Sequence, residues 1–297
     1  MPVSHLLLGL VVVAIWGTNF VVIELALAEL PPLLFAALRF TVAFLPALLI
    51  PRPAVPWRHL AGYGLCIGVG QFGLLFIAME RDITPGLASV VVQMQVFFTI
   101  GLFVWLGGER LKPFQWAALA LGLAGIGTIA ANVNATTTPL GIALTLAAGL
   151  SWSLGNLVSR AAGQVNMLAF VVWSSLFAAP VLFVLAFAFE GFDASVQGVA
   201  NAGAGAWAAI LWQAVGNTMF GYGVWAWLLQ RHTAAQVTPF ALLVPLFGLG
   251  ASVLLLGEPL QGWKLAAAAL ILGGLAVGIL TPMLRGRRPP PVETPTA

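Results

Sequence analysis

Gly108-Glu109-Arg110-Leu111, followed by Pro113 and an apolar run from Ala117 to Ala130, returns near the C-terminus as Gly257-Glu258-Pro259-Leu260 with an apolar run from Ala266 to Leu280. A second echo pairs Trp16-Gly17-Thr18-Asn19 with Trp152-Ser153-Leu154-Gly155-Asn156. Self-similarity on this scale divides the chain into two halves of like construction.

Composition says what the halves are made of. The 297 residues are 61% hydrophobic and 7% charged, with a mean hydropathy of +1.02, whereas a soluble domain carries about 25% charged residues. A hydrocarbon core about 30 Å thick needs roughly 20 apolar residues per helix. Breaks at charged, Pro-rich and Gly-rich points predict ten spans: 4–28, 33–50, 59–79, 85–106, 113–131, 139–160, 167–189, 205–230, 235–256 and 263–283. Several open at proline, which costs nothing at the first helical position. The longest connection, 190–204, leaves no room for a soluble catalytic domain. The run after Met1 lacks Lys or Arg and a clear cleavage site, so it is read as the first span and not as a removed leader.

With the N-terminus inside, Arg52, Arg58, Arg110, Lys112, Arg160, Arg231, Arg285, Arg287 and Arg288 fall in cytoplasmic connections, against Arg81 and Lys264 outside. That bias follows the positive-inside rule and places both termini in the cytoplasm. The net charge of +3 reflects this asymmetry and not nucleic-acid binding, because the cations are scattered singly among short turns. The cluster from Arg285 to Arg288 is expected to meet anionic headgroups, and the tail 284–297 to be disordered.

Five spans per half is an odd number, so the second half must enter the membrane from the opposite side. The sequence thus predicts an all-α membrane protein of ten transmembrane helices in two inverted five-helix repeats, 4–131 and 139–283. Inverted repeats of this kind build secondary transporters, whose site lies near the midplane at the repeat interface. A duplicated bundle that serves only as a stable scaffold is the alternative.

Trp16-Gly17-Thr18-Asn19-Phe20, Leu38-Arg39-Phe40, Gly86-Leu87-Ala88-Ser89, Gln93-Met94-Gln95-Val96-Phe97-Phe98-Thr99, Gly108-Glu109-Arg110-Leu111, Gly221-Tyr222-Gly223 and the stretch from Pro239 to Pro245 occur in an order and spacing that resembles the drug/metabolite transporter superfamily, in particular its ten-helix EamA-type exporters. The Gln-Met-Gln-Val-Phe-Phe-Thr stretch resembles the branch exporting cysteine and O-acetylserine, and relatives export aromatic and other amino acids. The resemblance implies a multi-pass protein of the plasma membrane (the inner membrane of a Gram-negative cell) that exports amino acids or related small metabolites from the cytoplasm. Drug-like or cationic metabolites are the alternative cargo. Two positions depart from the pattern: Val96 stands where the fourth helix often has proline, while Pro245 is kept in the second half, and Glu24 stands where the nearest branch leads one to expect a basic residue.

A polar side chain facing lipid is costly, so polar groups in these spans should face each other or a wet cavity. Trp16 and Asn19 share a face of the first span, as do Trp152, Asn156 and Ser159 on the sixth. Ser89 and Gln93 on the fourth, and Gln213 and Asn217 on the eighth, form similar stripes; Gln71 and Tyr222 extend the set. Asn and Gln amides offer donors and acceptors without fixed charge, which suits a site that binds a carboxylate and an ammonium and must also release them. The same amides would equally serve as interhelical glue. Trp16 and Trp152 are expected to wall the pocket, whereas Trp225 is assigned to packing or lipid contact. Arg39 and Glu24 are the charges inside spans: either they pair with each other or snorkel, or Arg39 draws a carboxylate while Glu24 takes up protons.

Other classes find little support. His5, His59 and His232 are scattered at span ends, Cys66 is the single cysteine, and no metal-ligand cluster, nucleophile beside a base or phosphate loop stands out. An enzyme, a metal and a cofactor are not expected. Glycines of the fifth and tenth spans, among them Gly122, Gly125, Gly273, Gly274 and Gly278, allow close helix contact as scaffold or dimer face, although a monomer suffices. The bilayer and a small-molecule substrate are the expected partners.

Overall fold

The computed structural model describes residues 1–107 and 111–285. Gly108-Glu109-Arg110 of the repeated motif, and the basic cluster and tail from 286 onward, lie outside the described residues. The helices are α1 (Val3–Leu27), α2 (Pro32–Leu48), α3 (Trp57–Arg81), α4 (Pro85–Leu106), α5 (Pro113–Ala130), α6 (Pro139–Ala161), α7 (Met167–Glu190), α8 (Phe192–Asn201), α9 (204–231), α10 (Thr238–Leu256) and α11 (Gly262–Arg285). Among the described residues there is no strand, only isolated bridges such as Ile83 with Thr137. Eight helices, α1, α3 to α7, α10 and α11, are long and apolar enough to cross a membrane, and α2 is a shorter apolar one. The sequence reading took 190–204 as a connection; α8 occupies most of it.

Helix starts follow local chemistry. Pro32, Pro85, Pro113 and Pro139 each stand at the first helical position, where no backbone donor is lost. Thr138 Oγ1 accepts the Gly141 N–H at 3.0 Å, and Asn166 Oδ1 accepts the Ala169 N–H at 3.1 Å, as N-cap side chains do. The glycine that ends α10, Gly257, has φ 67°, a left-handed turn that favours glycine.

Close packing rests on small residues. A Cβ on Gly125 would lie 2.5 Å from Ile271 Cγ1, and one on Gly274 would lie 2.5 Å from the Ala118 carbonyl oxygen. Helices α5 and α11 therefore cover each other's small faces, which the sequence had left between scaffold and dimer contact. A Cβ on Gly17 would lie 2.5 Å from the Val244 carbonyl oxygen, which sets α1 tightly on α10.

Two helices depart from α geometry in the middle. Leu65–Gly73 of α3 and Trp212–Phe220 of α9 are π-helical, a wider winding often found at functional sites. Side chains of neighbouring helices reach backbone carbonyls in both segments: Ser151 Oγ donates to the Cys66 carbonyl at 2.8 Å, and Trp16 Nε1 donates to the Asn217 carbonyl at 3.2 Å. Such borrowed partners are what allow irregular backbone at membrane depth. In α4 and α10 the break is a 3-10 turn instead, at Val92–Met94 and Thr238–Leu243. Helix α4 thus makes its break without a proline at Val96.

One end of the bundle is tied together by carboxylates that reach from the end of one helix to the start of another. Glu190 accepts the Leu33 and Leu34 N–H groups of α2 at 2.6 and 3.1 Å. Glu29 Oε2 accepts the Gly203 N–H beside the start of α9 at 2.6 Å. Thr138, ahead of α6, donates to Asp82 Oδ1 at 2.6 Å. Glu258, between α10 and α11, accepts from Thr84 Oγ1 at 2.5 Å and from the Gly86 N–H at 3.0 Å at the start of α4. It also accepts from Ser252 and pairs with Lys264 at 2.7 Å. Carboxylates favour helix N-termini because the unpaired N–H groups and the helix dipole both present positive charge.

Candidate functional site

Between the helices lies a cavity of ≈ 980 Å³. Its buried wall holds Phe20, Ile23, Phe72 and Leu75; its far reach is lined by Gly163, Gln164 and Val165 of the α6–α7 connection and by Gln230 of α9. It therefore runs from mid-helix depth toward the end that carries Arg160 and Arg231, away from the tied end.

The structure brings most of the expected residues to this space. Trp16, Asn19, Gln71, Gln93, Trp152, Asn156, Asn217 and Tyr222 line it. Asn156 Nδ2 lies 3.3 Å from both Gln95 Oε1 and Thr99 Oγ1 of α4. Asn19 Nδ2 donates to Gln213 Oε1 at 3.4 Å. Asn19 Oδ1, Gln71 Oε1 and Gln213 Nε2 are buried and have no hydrogen-bond partner among the described residues, so the amide belt retains open donors and acceptors.

Two expected residues stand elsewhere. Ser89 is fully buried where α4 crosses α10, donating to the Gly86 carbonyl at 2.6 Å; a Cβ on Gly248 would lie 2.5 Å from its own Cβ. Gln213 sits one layer behind the wall, bound to Asn19. The Arg39–Glu24 pair does not form either: Arg39 Nη2 donates to Thr218 Oγ1 at 2.9 Å. Glu24 Oε2 is buried with no hydrogen-bond partner among the described residues. The ion pairs there are Lys264 with Glu258 and Arg81 with Glu80 at 3.6 Å.

Other residues join the wall unannounced. Trp225, assigned above to packing or lipid, lines the cavity with its ring 5.1 Å from that of Trp16, and Tyr222 lies 5.7 Å away on the same side. Tyr63, Gln95 and Gln164 also line it. Gln95 follows Gln93 by two, a spacing that an α-helix sends to opposite sides; the 3-10 turn Val92–Met94 winds faster per residue and narrows that separation. No sequence period announces such a turn.

Apolar helices gathered around an uncharged, amide-rich cavity define a multi-pass membrane carrier. The chain belongs to the EamA-like transporter family, whose model matches residues 3–131 and again 139–280. It is 40% identical over 279 residues to a probable amino-acid metabolite efflux pump of Salmonella typhimurium (strain LT2), covering 92% of this chain and 93% of that one. A protein of the same description from Escherichia coli (strain K12) is 38% identical over 279 residues, with the same coverage. A solved crystal structure, 22% identical, superposes with a TM-score of 0.66 over 99% of both chains and supports the fold. The resemblance drawn from the motifs is thereby established at family level.

Proposed function

We propose that the protein exports amino acids or close derivatives from the cytoplasm by alternating access, acting as a carrier and not as an enzyme. Ten spans form two inverted repeats, 4–131 and 139–283, both termini are cytoplasmic, and a monomer is sufficient. The observation that carries this reading is the cavity: amides and indoles without a charged side chain, reaching toward the end with Arg160 and Arg231 and shut from the end tied by Glu29, Asp82, Glu190 and Glu258. Positive residues mark the cytoplasmic side, so the captured state faces inward, ready to load. Its amides supply both kinds of hydrogen-bonding group to a zwitterion, and the Trp16, Tyr222 and Trp225 rings offer faces to an ammonium or to an apolar side chain. The names of the relatives support the same cargo.

The test is efflux from cells preloaded with a panel of labelled amino acids. Faster loss of some of them than in controls lacking the protein is the expected result. A rate unchanged across the whole panel overturns the cargo assignment.

A further inference from the structure

None of the residues that line the cavity is charged. Charge acts on it from behind. Arg39 is 1% exposed, and its guanidinium carbon lies 3.8 Å from the centroid of the Phe72 ring and 4.8 Å from that of Phe40. Phe72 lines the cavity, so the cation stands one side chain behind the wall. Its anchor is Thr218, whose hydroxyl donates to the Gln213 carbonyl at 2.9 Å within the π-helical part of α9. Arg39 Nε and Nη1 have no hydrogen-bond partner among the described residues, and no carboxylate there lies within ion-pair distance. A buried cation left without an anion is expensive in a protein interior and more so in a membrane. Its field falls off slowly where the dielectric constant is low.

We propose that Arg39 sets the charge class of the cargo: molecules that carry a carboxylate and no net positive charge. The inference rests on the transport reading above and deepens it. The guanidinium draws a carboxylate to the deep end of the cavity, near Phe72 and Gln71, while the same field turns away an amine or a cationic drug that lacks one. Gln71 Oε1, an acceptor without a partner next in sequence to Phe72, is placed to take the ammonium of a zwitterion. Arg39 is thus a specificity-determining residue that acts through the wall.

The experiment uses the full-length protein in liposomes and compares a transported amino acid with its carboxamide and its decarboxylated amine. The wild type is expected to prefer the amino acid by about tenfold or more, as sites with an unmatched buried polar group discriminate. Arg39→Gln should bring that ratio to within about twofold of unity, and Arg39→Lys should restore part of it. Should Arg39→Gln fail to fold, Thr218→Val keeps the charge but frees its anchor and should raise the KM for the amino acid more than that for the amine. Equal transport of amino acid and amine by the wild type overturns the inference and spares the transport reading, as does an unchanged ratio in folded Arg39→Gln. Movement of the amine or a cationic drug without any amino acid overturns both.

Discussion

Trp16 on α1 donates its indole N–H to the backbone carbonyl of Asn217 on α9, 3.2 Å away, within the π-helical segment Trp212–Phe220. A wall residue of the cavity thus also holds the backbone of the helix opposite. A Cβ on Gly221 would collide with the Trp16 indole nitrogen, so the glycine one turn on makes room for the ring.

Trp16→Phe keeps the ring and removes the donor. It should destabilise the protein by about 0.5–1.5 kcal/mol, the net contribution of one hydrogen bond, and Gly221→Val should do at least as much by pushing the indole aside. Thermal unfolding of the purified proteins measures both. A Trp16→Phe variant as stable as wild type would mean that water supplies the missing bond.

Asn156 joins α6 to α4 through Gln95 and Thr99 while facing the cavity. Asn156→Leu removes those bonds from the wall and should raise the KM for export several-fold, roughly 1 kcal/mol of lost binding. Initial rates against internal substrate concentration give the answer; a change in kcat alone would place Asn156 in the conformational step.

Glu258 is 7% exposed, and its partner Lys264 is 4% exposed. Burial pushes the Glu258 carboxyl up, but the bonds from Lys264, Ser252 and Thr84 outweigh it and hold the pKa below its ordinary 4.5. A carboxyl whose folded pKa is depressed stabilises the fold above its unfolded pKa and loses that contribution as pH falls through the folded value. The Glu258 contribution to the melting temperature should therefore stay constant from pH 7 down to the unfolded value of 4.5 and be lost below it, a loss read as the difference between the wild type and Glu258→Gln. Lys264→Met, which strands the carboxylate, should cost about 3–5 kcal/mol at neutral pH.

On the opposite end, His5 Nδ1 and His232 Nε2 stand 2.7 Å apart, joining the start of α1 to the end of α9. Desolvation, then His5, the amino terminus and Arg231, lower the His232 pKa from 6.5. A histidine so shifted stabilises the fold above its unfolded pKa and loses that effect as pH falls, since its protonation adds a cation beside the amino terminus and Arg231. The melting temperature should fall as pH drops below the unfolded value of 6.5, and His232→Asn should flatten that slope. An equal slope in both proteins would assign the pH dependence to other groups.

Much of this architecture was legible in the residues. Helices placed by hydropathy and proline agree with the structure to within a few residues, because span length is dictated by the bilayer and proline marks starts wherever its missing N–H is harmless. The Trp/Asn faces of α1 and α6 were readable because both helices keep a regular turn through them. Gln95, Tyr63 and Trp225 were not, since the 3-10 turn of α4 and the π segments of α3 and α9 alter the angular step on which face assignment depends. Ser89 stands away from the cavity for a different reason: its small hydroxyl donates within its own helix where α4 crosses α10, a placement its polarity in sequence does not reveal. The place of Arg39 behind Phe72, and of Glu258 at the start of α4, depends on contacts between distant segments that no local pattern encodes.

The carboxylate ties at the closed end give that closure a particular character. The ties made by Asp82, Glu190 and Glu258 are part-buried, and that of Glu29 is exposed; parting the part-buried ones leaves both partners in need of water. In the alternating-access reading proposed above, opening this face is a hydration event at Asp82, Glu190 and Glu258, where solvent replaces protein hydrogen bonds, and the thermodynamic activity of water becomes a term in the turnover of the carrier.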